Sequence, residues 1–581
     1  MDLDTQRWAV LAWLCVCGSA GADVVKFTDV TASAGISMSH GPFAPGVPGF
    51  NEWMMSGACV GDFNGDGWPD IFILKGGNGT DKFFINNGDG TFADQTVAWG
   101  LAAPQHCGNG VAVGDFDRDG LADMYVSSYG KQSGNVGEVG KHKLFRNTGF
   151  GSFQDVAVAA GVNMTSPTVS VANGVAWGDY DLDGDLDLFA AAWSQVTQGN
   201  RLFRNNGDGT FTNVTETAIQ IPPITWGFQP TFADLDGDRY PELILAGDFA
   251  TTRLYRNNRN GTFTEISASS GFGVPIFGMG LCVADLDRDG DLDSYVTSIF
   301  ESRSPNPAYL NGNALFRNDG SANFVEIAAA AGVSDGGWGW GVVAGDFDHD
   351  GWLDMIEVNG RNSAEWANEP EYYYRNNGDG SFTRDDEVSA QFLNADARTI
   401  VTLDYDRDGD LDVAIYYNLG PFKLYRNDTE RAPGQASWLQ VELLHGTNPF
   451  VAPFGYGTRL VARVGDIDFV RYVDGGNGYL GSSELITHFG LGDATVIDEL
   501  RIEWARGYVT TLKGVGVDRR ITVTAPALAD VSGDGQVNAV DVEVLVAGWG
   551  SVTPASLHCD LNNDGAIDRR DLAIVLGHWG G

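Results

Sequence analysis

The sequence predicts a mainly β protein: a seven-bladed β-propeller, then a small β domain, then a short α-helical tail with two paired acidic loops. Three observations carry that reading. An acidic motif, D-x-[DN]-x-D-x-x-x-[DE], recurs seven times, with its first Asp at Asp62, Asp115, Asp179, Asp234, Asp285, Asp346 and Asp404, at gaps of 51 to 64 residues. An Asn-Gly or Asp-Gly turn between apolar flanks follows most copies. Two twelve-residue acidic loops, each leading into a short apolar run, lie between residue 528 and the last residue, 581. A fixed repeat implies stacked structural units.

Of the 581 residues, 43% are hydrophobic and 11% aromatic, ample for packed cores, which excludes global disorder. The 77 acids outnumber 36 bases, for a net charge of −41. That balance excludes a nucleic-acid partner, because a phosphate backbone demands a basic footprint. Residues 8–17 form an apolar stretch followed by Ala20-Gly21-Ala22, a small-residue cleavage pattern, so residues 1–22 read as a secretory signal even though Asp2 and Asp4 offset Arg7. A stretch that short does not span a bilayer, which takes about 20 residues. No later run is long enough, so the mature chain is expected to be secreted, with cell-surface association open, and without a membrane span. Four cysteines remain after cleavage, Cys59, Cys107, Cys282 and Cys559, scattered without disulfide or metal spacing, and they read as small buried hydrophobes.

The propeller is expected over residues 23–430. Apolar runs precede each acidic loop, as at 110–114 and 341–345, and others follow, as at 71–74 and 243–245; being short, β-branched or aromatic and bounded by Gly and Asp, they read as strands. The hairpin element is clearest at 202–211 (LFRNNGDGTF), with relatives beginning at Leu144, Leu254, Leu315 and Tyr373 and a looser one at Phe83. Each unit is therefore four short strands, the composition of a propeller blade. The outgoing strand, F-x-x-[VI], as at 153–156 and 263–266, follows the first six acidic loops but not the seventh, and a spare copy stands at 27–30. The first strand is thus expected to complete the seventh blade and close the ring.

Oxygen ligands two residues apart on a tight loop suit a hard cation that takes six to eight oxygens. The candidate ligands are Asp62, Asn64, Asp66 and Asp70; Asp115, Asp117, Asp119 and Asp123; Asp179, Asp181, Asp183 and Asp187; Asp234, Asp236, Asp238 and Glu242; Asp285, Asp287, Asp289 and Asp293; Asp346, Asp348, Asp350 and Asp354; and Asp404, Asp406, Asp408 and Asp412. Gly at the sixth position permits the bend, except in the fourth loop, where Arg239 stands there. Without a cation such clusters are costly, because like charges oppose joint ionisation. His349 sits among the ligands of the sixth loop and is expected to be an exposed loop residue.

These loops and their apolar flanks resemble FG-GAP or VCBS repeats, the blade units of integrin α-subunit propellers, over roughly residues 24–430. The resemblance implies structural Ca²⁺ in the loops on one face, and ligands on the opposite face.

Residues 438–523 change character. The segments 455–464 (GYGTRLVARV), 475–479 (GGNGY), 488–492 (HFGLG) and 496–504 resemble the ASPIC and UnbV domain, expected to be a small β domain without defined chemistry. Residues 476–481 match G-x-G-x-x-G formally, but they lack the strand-to-helix setting and the later acid that dinucleotide binding requires. His488 reads as a structural strand residue.

After a short linker at 524–527, the first tail loop offers Asp530, Ser532, Asp534, Asn538 and Asp541, and the second Asp560, Asn562, Asp564, Asp568 and Asp571, each with Gly at position six. That is EF-hand-like spacing with Asp at twelve. The duplicated loop and helix of residues 528–581 look like a type I dockerin. The resemblance implies two Ca²⁺ ions that fold the module and a helix face that docks onto a cohesin-like partner. Loop positions ten and eleven, Ala539 and Val540 against Arg569 and Arg570, differ between the halves, which argues against a symmetric dual binding mode.

No G-x-S-x-G, H-E-x-x-H or C-x-x-C occurs, and the eight His are dispersed, so no catalytic residues and no organic cofactor are assigned. The reading favoured is a secreted, non-catalytic binding, adhesion or scaffold protein holding up to nine Ca²⁺ ions. Its propeller would contact a glycan or an extracellular protein, and its tail would tether it. A secreted carbohydrate-active enzyme such as a polysaccharide lyase is the alternative. The excursions at 127–143 and 299–314 are the expected specificity loops.

Overall fold

The structure is a computed structural model and describes residues 25–41, 54–76, 79–102, 106–128, 141–164, 171–193, 199–222, 224–273, 277–302, 311–361, 366–431 and 436–580. The expected export signal at 1–22 lies outside the described residues, as do most of the expected specificity loop at 127–143 and half of that at 299–314.

Every acidic motif is the connection between the first two strands of a four-stranded antiparallel sheet. The third repeat shows the pattern: Val171–Gly178, Asp187–Trp193, Arg201–Asn205 and Phe211–Asn213, paired in that order. Seven such sheets form, the third and fourth joined by one further pair at Trp193 and Trp226. Their first strands are buried along almost their whole length and mostly apolar, with Asn109, Asn173, Gln229 and Arg398 as fully buried polar exceptions. They touch in cyclic order, with Ala58–Gly61 of the first sheet meeting both Gly108–Gly114 of the second and Ala397–Leu403 of the seventh. The ring closes as expected from the displaced strand: Phe27–Asp29 is the fourth strand of the seventh sheet, with Phe27 opposite Asn427 and Asp29 opposite Tyr425. Lys423 adds an ion pair to Asp29 at 2.6 Å.

One-turn helices follow five of the outgoing strands, for example Ala157–Ala160 and Ala328–Ala331. They are too short to leave a periodic signal in the sequence. The four described cysteines are free and buried. Among the described residues no helix is long and apolar enough to cross a membrane.

The small β domain has two sheets. Trp438–Leu444 lies between Thr487–Gly490, antiparallel, and Arg519–Thr524, parallel. The other sheet runs Ile467–Tyr472, Arg459–Val464, Val496–Glu503, Val509–Gly516. Leu460, Phe489, Ile502 and Trp504 are fully buried between them.

The glycine-rich stretch between these strands enters the middle of the ring. Trp177 donates its backbone N–H to Gly475 O (3.0 Å), Leu281 to Gly478 O (2.9 Å), Val111 to Leu480 O (3.2 Å) and Val60 to Ser482 O (3.0 Å). Leu480 N donates in turn to Gln229 Oε1 (3.3 Å), and Glu484 N to Thr402 O (3.0 Å). Six of the seven first strands are thereby bonded to one segment. The G-x-G-x-x-G run therefore serves close packing rather than phosphate binding: a Cβ on Gly481 would stand 2.7 Å from Thr399 Cγ2 and 3.0 Å from Ala58 O, and one on Gly475, just before the run, 1.3 Å from Trp177 O. Tyr479 fills the centre, its ring 5.6 Å from Phe228 and 5.3 Å from Trp340, its hydroxyl donating to Met54 O at 2.8 Å.

The tail has helices Ala539–Ala547 and Arg569–Gly577, each started by its loop's own carboxamide or carboxylate, Asn538 and Asp568, as capping boxes. The segment expected as a linker is packed, not free: Ala525 and Pro526 are buried, and Asn448 Nδ2 donates to Pro526 O at 2.9 Å.

Candidate metal centres and the face they occupy

The acidic loops share one hydrogen-bond frame, seen in the third. Asp179 accepts from the N–H groups of Asp183 and Gly184, both at 3.0 Å, and so bends the loop around its own carboxylate. Asp187, at the ninth position, accepts from Tyr180 N (3.1 Å) and Asn205 N (2.8 Å), which ties loop, second strand and third strand together. Two left-handed residues make the bend possible: Leu182 at φ 57° and Gly184 at φ 94°. The fourth loop achieves the second of these with Arg239 at φ 80°, a conformation that costs an L-residue roughly 1–2 kcal/mol.

This frame converges carboxylate oxygens. Asp115, Asp117 and Asp123, then Asp179, Asp181 and Asp187, then Asp234, Asp236 and Glu242 each bring three ligand atoms within 4.8 Å of one another. Asp285, Asp287 and Asp289, and Asp346, Asp348 and Asp350, do so with their first, third and fifth positions. In the second, fifth and sixth loops the first carboxylate is buried and the fifth, Asp119, Asp289 or Asp350, faces solvent, which leaves a path for an ion; in the fourth loop the fifth, Asp238, is itself buried. Asp117, Asp181, Asp236 and Asp406 each hold a buried Oδ1 without a hydrogen-bond partner, as do Asp285, Asp346 and Asp404. Native proteins rarely leave such atoms unsatisfied.

Burial, then repulsion from neighbouring carboxylates, pushes Asp115, Asp234, Asp285 and Asp404 up to about 7. Burial likewise pushes Asp70 and Asp293 up to about 8. A hard divalent cation supplies the missing charge and the missing partner at once, so these donor sets fit Ca²⁺. Some loops are partly balanced from within: Arg146 pairs with Asp117 (2.5 Å) and Asp119 (3.3 Å), Arg375 with Asp348 (2.5 Å), and Arg259 with Asp238. In the first loop Asn64 Nδ2 donates to Asp66 Oδ2 at 2.8 Å.

The tail loops repeat the frame. Asp530 accepts from Asp534 N (3.1 Å) and Gly535 N (2.9 Å), and Asp541 from Ser532 N (2.9 Å) and Asn538 N (2.7 Å). Asp560 accepts from Asp564 N (3.1 Å) and Gly565 N (3.0 Å), and Asp571 from Leu561 N (2.9 Å) and Asp568 N (2.8 Å). Arg570 pairs with both Asp564 and Asp568 in the second loop.

The propeller's acidic-loop face is also where the C-terminal domains sit. The fourth loop residue is always left-handed, and where it is not glycine, as it is at Gly65 and Gly237, its side chain meets them. Arg118 donates to Asn448 O (2.8 Å) and Val451 O (3.1 Å), and Arg407 pairs with Glu484 at 2.7 Å. Arg288 lies 3.6 Å over the Trp352 ring and 4.9 Å over Phe469. His349, expected to be exposed, is buried: its ring lies 5.0 Å from that of His488 and its Nδ1 3.3 Å from Ala436 O, because the β domain covers this loop. His488 is a strand residue, as expected, its Nε2 3.0 Å from Gly409 O. From the other side, buried Arg506 donates to Leu182 O (2.6 Å), Asp560 O (2.9 Å) and Asn563 Oδ1 (3.1 Å), and so links the third propeller loop to the second tail loop. Sequence reasoning missed this covering. The signal was a basic residue or His at position four in four of the seven loops.

Comparison with known proteins agrees with this layout. A model of the FG-GAP-like repeat matches residues 62–126, 179–245, 234–296 and 306–356; one of ASPIC and UnbV matches 451–529, and one of the dockerin type I domain 528–578. Cartilage acidic protein 1 of Homo sapiens is 28% identical over 329 residues, 53% of this chain and 48% of its own length. That of Mus musculus is 27% identical over 332 residues, 53% of this chain and 49% of its own. The chain thus spans about half the length of the curated relatives it matches. A solved structure described as BBS1N in complex with ARL6DN aligns over 70% of this chain and 98% of that one, at 11% identity and a TM-score of 0.40, a likeness too loose to bear on the fold. In chain order, then, the protein carries FG-GAP-like repeats folded as a β-propeller, an ASPIC and UnbV domain, and a dockerin type I domain.

Proposed function

We propose that this is a secreted, calcium-stabilised binding protein without catalytic activity, tethered through its dockerin. The observation that carries the calcium reading is the set of buried carboxylate oxygens left without a partner where three acidic side chains converge. Each of the seven propeller loops would hold one Ca²⁺ on its first, third, fifth and ninth residues, and each dockerin loop one more. Thirty-seven of the 77 acids stand on these nine loops, so much of the net charge of −41 is ligand charge. Weak sites of roughly 10⁻⁴ to 10⁻³ M are sufficient outside the cell.

The dockerin helices expose Val540, Val546 and Leu576, and just past their ends Trp549 and Trp579, each near half of its surface. That patch supports a cohesin-like partner. With the acidic-loop face covered by the C-terminal domains, the opposite face is the one open to a glycan or an extracellular protein. The test is capture of purified type I cohesin domains on the immobilised full chain, with calcium and then with chelator. Calcium-dependent capture that Val546→Asp with Leu576→Asp abolishes is the expected result. Capture of none, or capture indifferent to both changes, overturns the tethering role.

A further inference from the structure

On the reading of the propeller as a binding module, we propose that Phe249, braced from below by the buried Trp226 and by Trp193, is a stacking platform for a neutral β-linked pyranose chain, with Asp248 as its hydroxyl acceptor. The platform is on the open face, on the hairpin between Glu242–Asp248 and Arg253–Asn257 in the fourth sheet.

The hairpin turns through Phe249 and Ala250 at φ 49° and 60°. Two consecutive left-handed residues are what a tight hairpin turn asks for, and Asn-Gly or Gly-Gly meets that demand without strain. Here two residues with a Cβ hold it, against their own preference. The surroundings enforce the shape. Thr251 donates its N–H (3.0 Å) and its hydroxyl (2.6 Å) to Asp248 O, and receives the N–H of Trp226 on Oγ1 at 3.0 Å. Arg253 Nη1 donates to Ala250 O at 3.1 Å and to Thr252 O at 2.7 Å.

What this strained turn maintains is an aromatic ring, 52% exposed, above other aromatics. Phe249 meets Trp226 edge-on at 5.0 Å and Trp193 at 6.4 Å, and the two indoles stand 4.3 Å apart. The Trp193 indole N–H donates to Asp248 Oδ2 at 2.9 Å, while Phe249 N donates to Oδ1 at 2.9 Å. The carboxylate is therefore fixed beside the rings, with lone pairs remaining on both oxygens. A pyranose whose hydroxyls are equatorial presents a face of C–H bonds to an aromatic ring and a hydroxyl edge to such an acceptor. Aromatic faces joined to a few placed polar groups are the usual make-up of a ligand site. Charge selects within that class: on a chain of net charge −41, with a carboxylate as the polar anchor, a polyuronate is repelled and an uncharged glycan is not.

The test uses the calcium-loaded full chain, with cellohexaose, xylohexaose and polygalacturonate as probes, read by titration calorimetry and tryptophan fluorescence. The double variant Phe249→Asn with Ala250→Gly relaxes the turn and removes the ring. It is expected to melt at or above the wild-type temperature while binding a neutral hexaose at least tenfold more weakly. Phe249→Ala is expected to weaken binding likewise, and Phe249→Tyr to retain it. Neutral-glycan binding that survives both Phe249→Ala and the double variant overturns the platform and leaves a glycan-binding propeller standing. Wild-type binding to neither hexaose, or to polygalacturonate in preference, overturns the platform also. Release of unsaturated products from polygalacturonate would instead contradict the non-catalytic reading itself.

Discussion

Asn86 donates its side-chain N–H to the backbone carbonyl of Tyr405, 319 positions away in the chain, at 2.8 Å. Tyr405 is the second residue of the seventh acidic loop, and Asn86 ends the third strand of the first sheet. The same bond recurs around the ring: Asn147 to Phe63 O (2.8 Å), Asn205 to Phe116 O (2.8 Å), Asn257 to Tyr180 O (2.8 Å), Asn318 to Leu235 O (2.8 Å), Asn376 to Leu286 O (2.8 Å) and Asn427 to Phe347 O (2.9 Å). Each sheet therefore holds the acidic loop of the sheet before it. The ninth carboxylate completes the link, since Asp70 accepts from both Asn86 N (2.9 Å) and Phe63 N (3.1 Å). Loop geometry and ring geometry are one network.

Asn205→Ala should thus cost more than an ordinary polar truncation. It strips the buried carbonyls of Phe116 and Leu186 of a donor, worth about 1–3 kcal/mol for an unsatisfied buried group. Asn206→Ala, one residue on and exposed, should stay within about 0.5 kcal/mol. Urea denaturation of the two variants side by side checks this; equal costs would contradict the network.

Closure by the first strand makes Phe27 a core residue despite its place near the chain start. Its ring lies 5.8 Å from Phe347 and 5.2 Å from Phe392. Phe27→Ala should cost about 3–5 kcal/mol. A calorimetric loss below about 1 kcal/mol would mean that the strand is dispensable.

The loop carboxylates also set a pH dependence. Asp70, Asp115, Asp234, Asp285 and Asp404 are raised well above their unfolded value of 3.8, to between about 7 and 8. In the metal-free protein the folded state then binds more protons than the unfolded state between pH 4 and 8, so stability is full at the acid end and is lost as pH rises. Melting in chelator should accordingly fall from pH 5 to pH 8. Saturating Ca²⁺, which binds the deprotonated form, should flatten or reverse that slope. A chelated protein that grows more stable toward pH 8 would contradict the buried, cation-free state of these groups.

Arg506 predicts how the tail is held. Its guanidinium lies 4.0 Å over the Phe450 ring and bonds to both the third propeller loop and the second dockerin loop. Arg506→Ala should free the dockerin and open residues 524–530 to limited proteolysis, with the propeller's own fragment pattern unchanged. Wild-type protease resistance in that segment would show that the docking does not depend on this residue.

Much of this was legible in the residues, for physical reasons that can be named. The acidic loops announce themselves because ligand spacing is local and repeats. The ring closure was readable because one strand is missing in one place and spare in another. The plug was not readable: Gly475, Gly478 and Gly481 state that another segment comes close, but not which one, and the strands they meet lie far off in the chain, from Ala58 to Val401. His349 was misplaced for the same reason, since its burial depends on His488 and on a domain resting on the loops. The turn at Phe249 and Ala250 escaped because it lacks the Asn or Gly by which hairpins are recognised.

Calorimetry of the full chain before and after chelation, paired with the calcium content of the dialysed protein, tests the central claim most directly. Close to nine ions per chain, a fall in Tm of more than about 10 °C in chelator, and recovery on adding calcium back are expected. A chain that carries one or no ion and melts at the same temperature with and without chelator would contradict it.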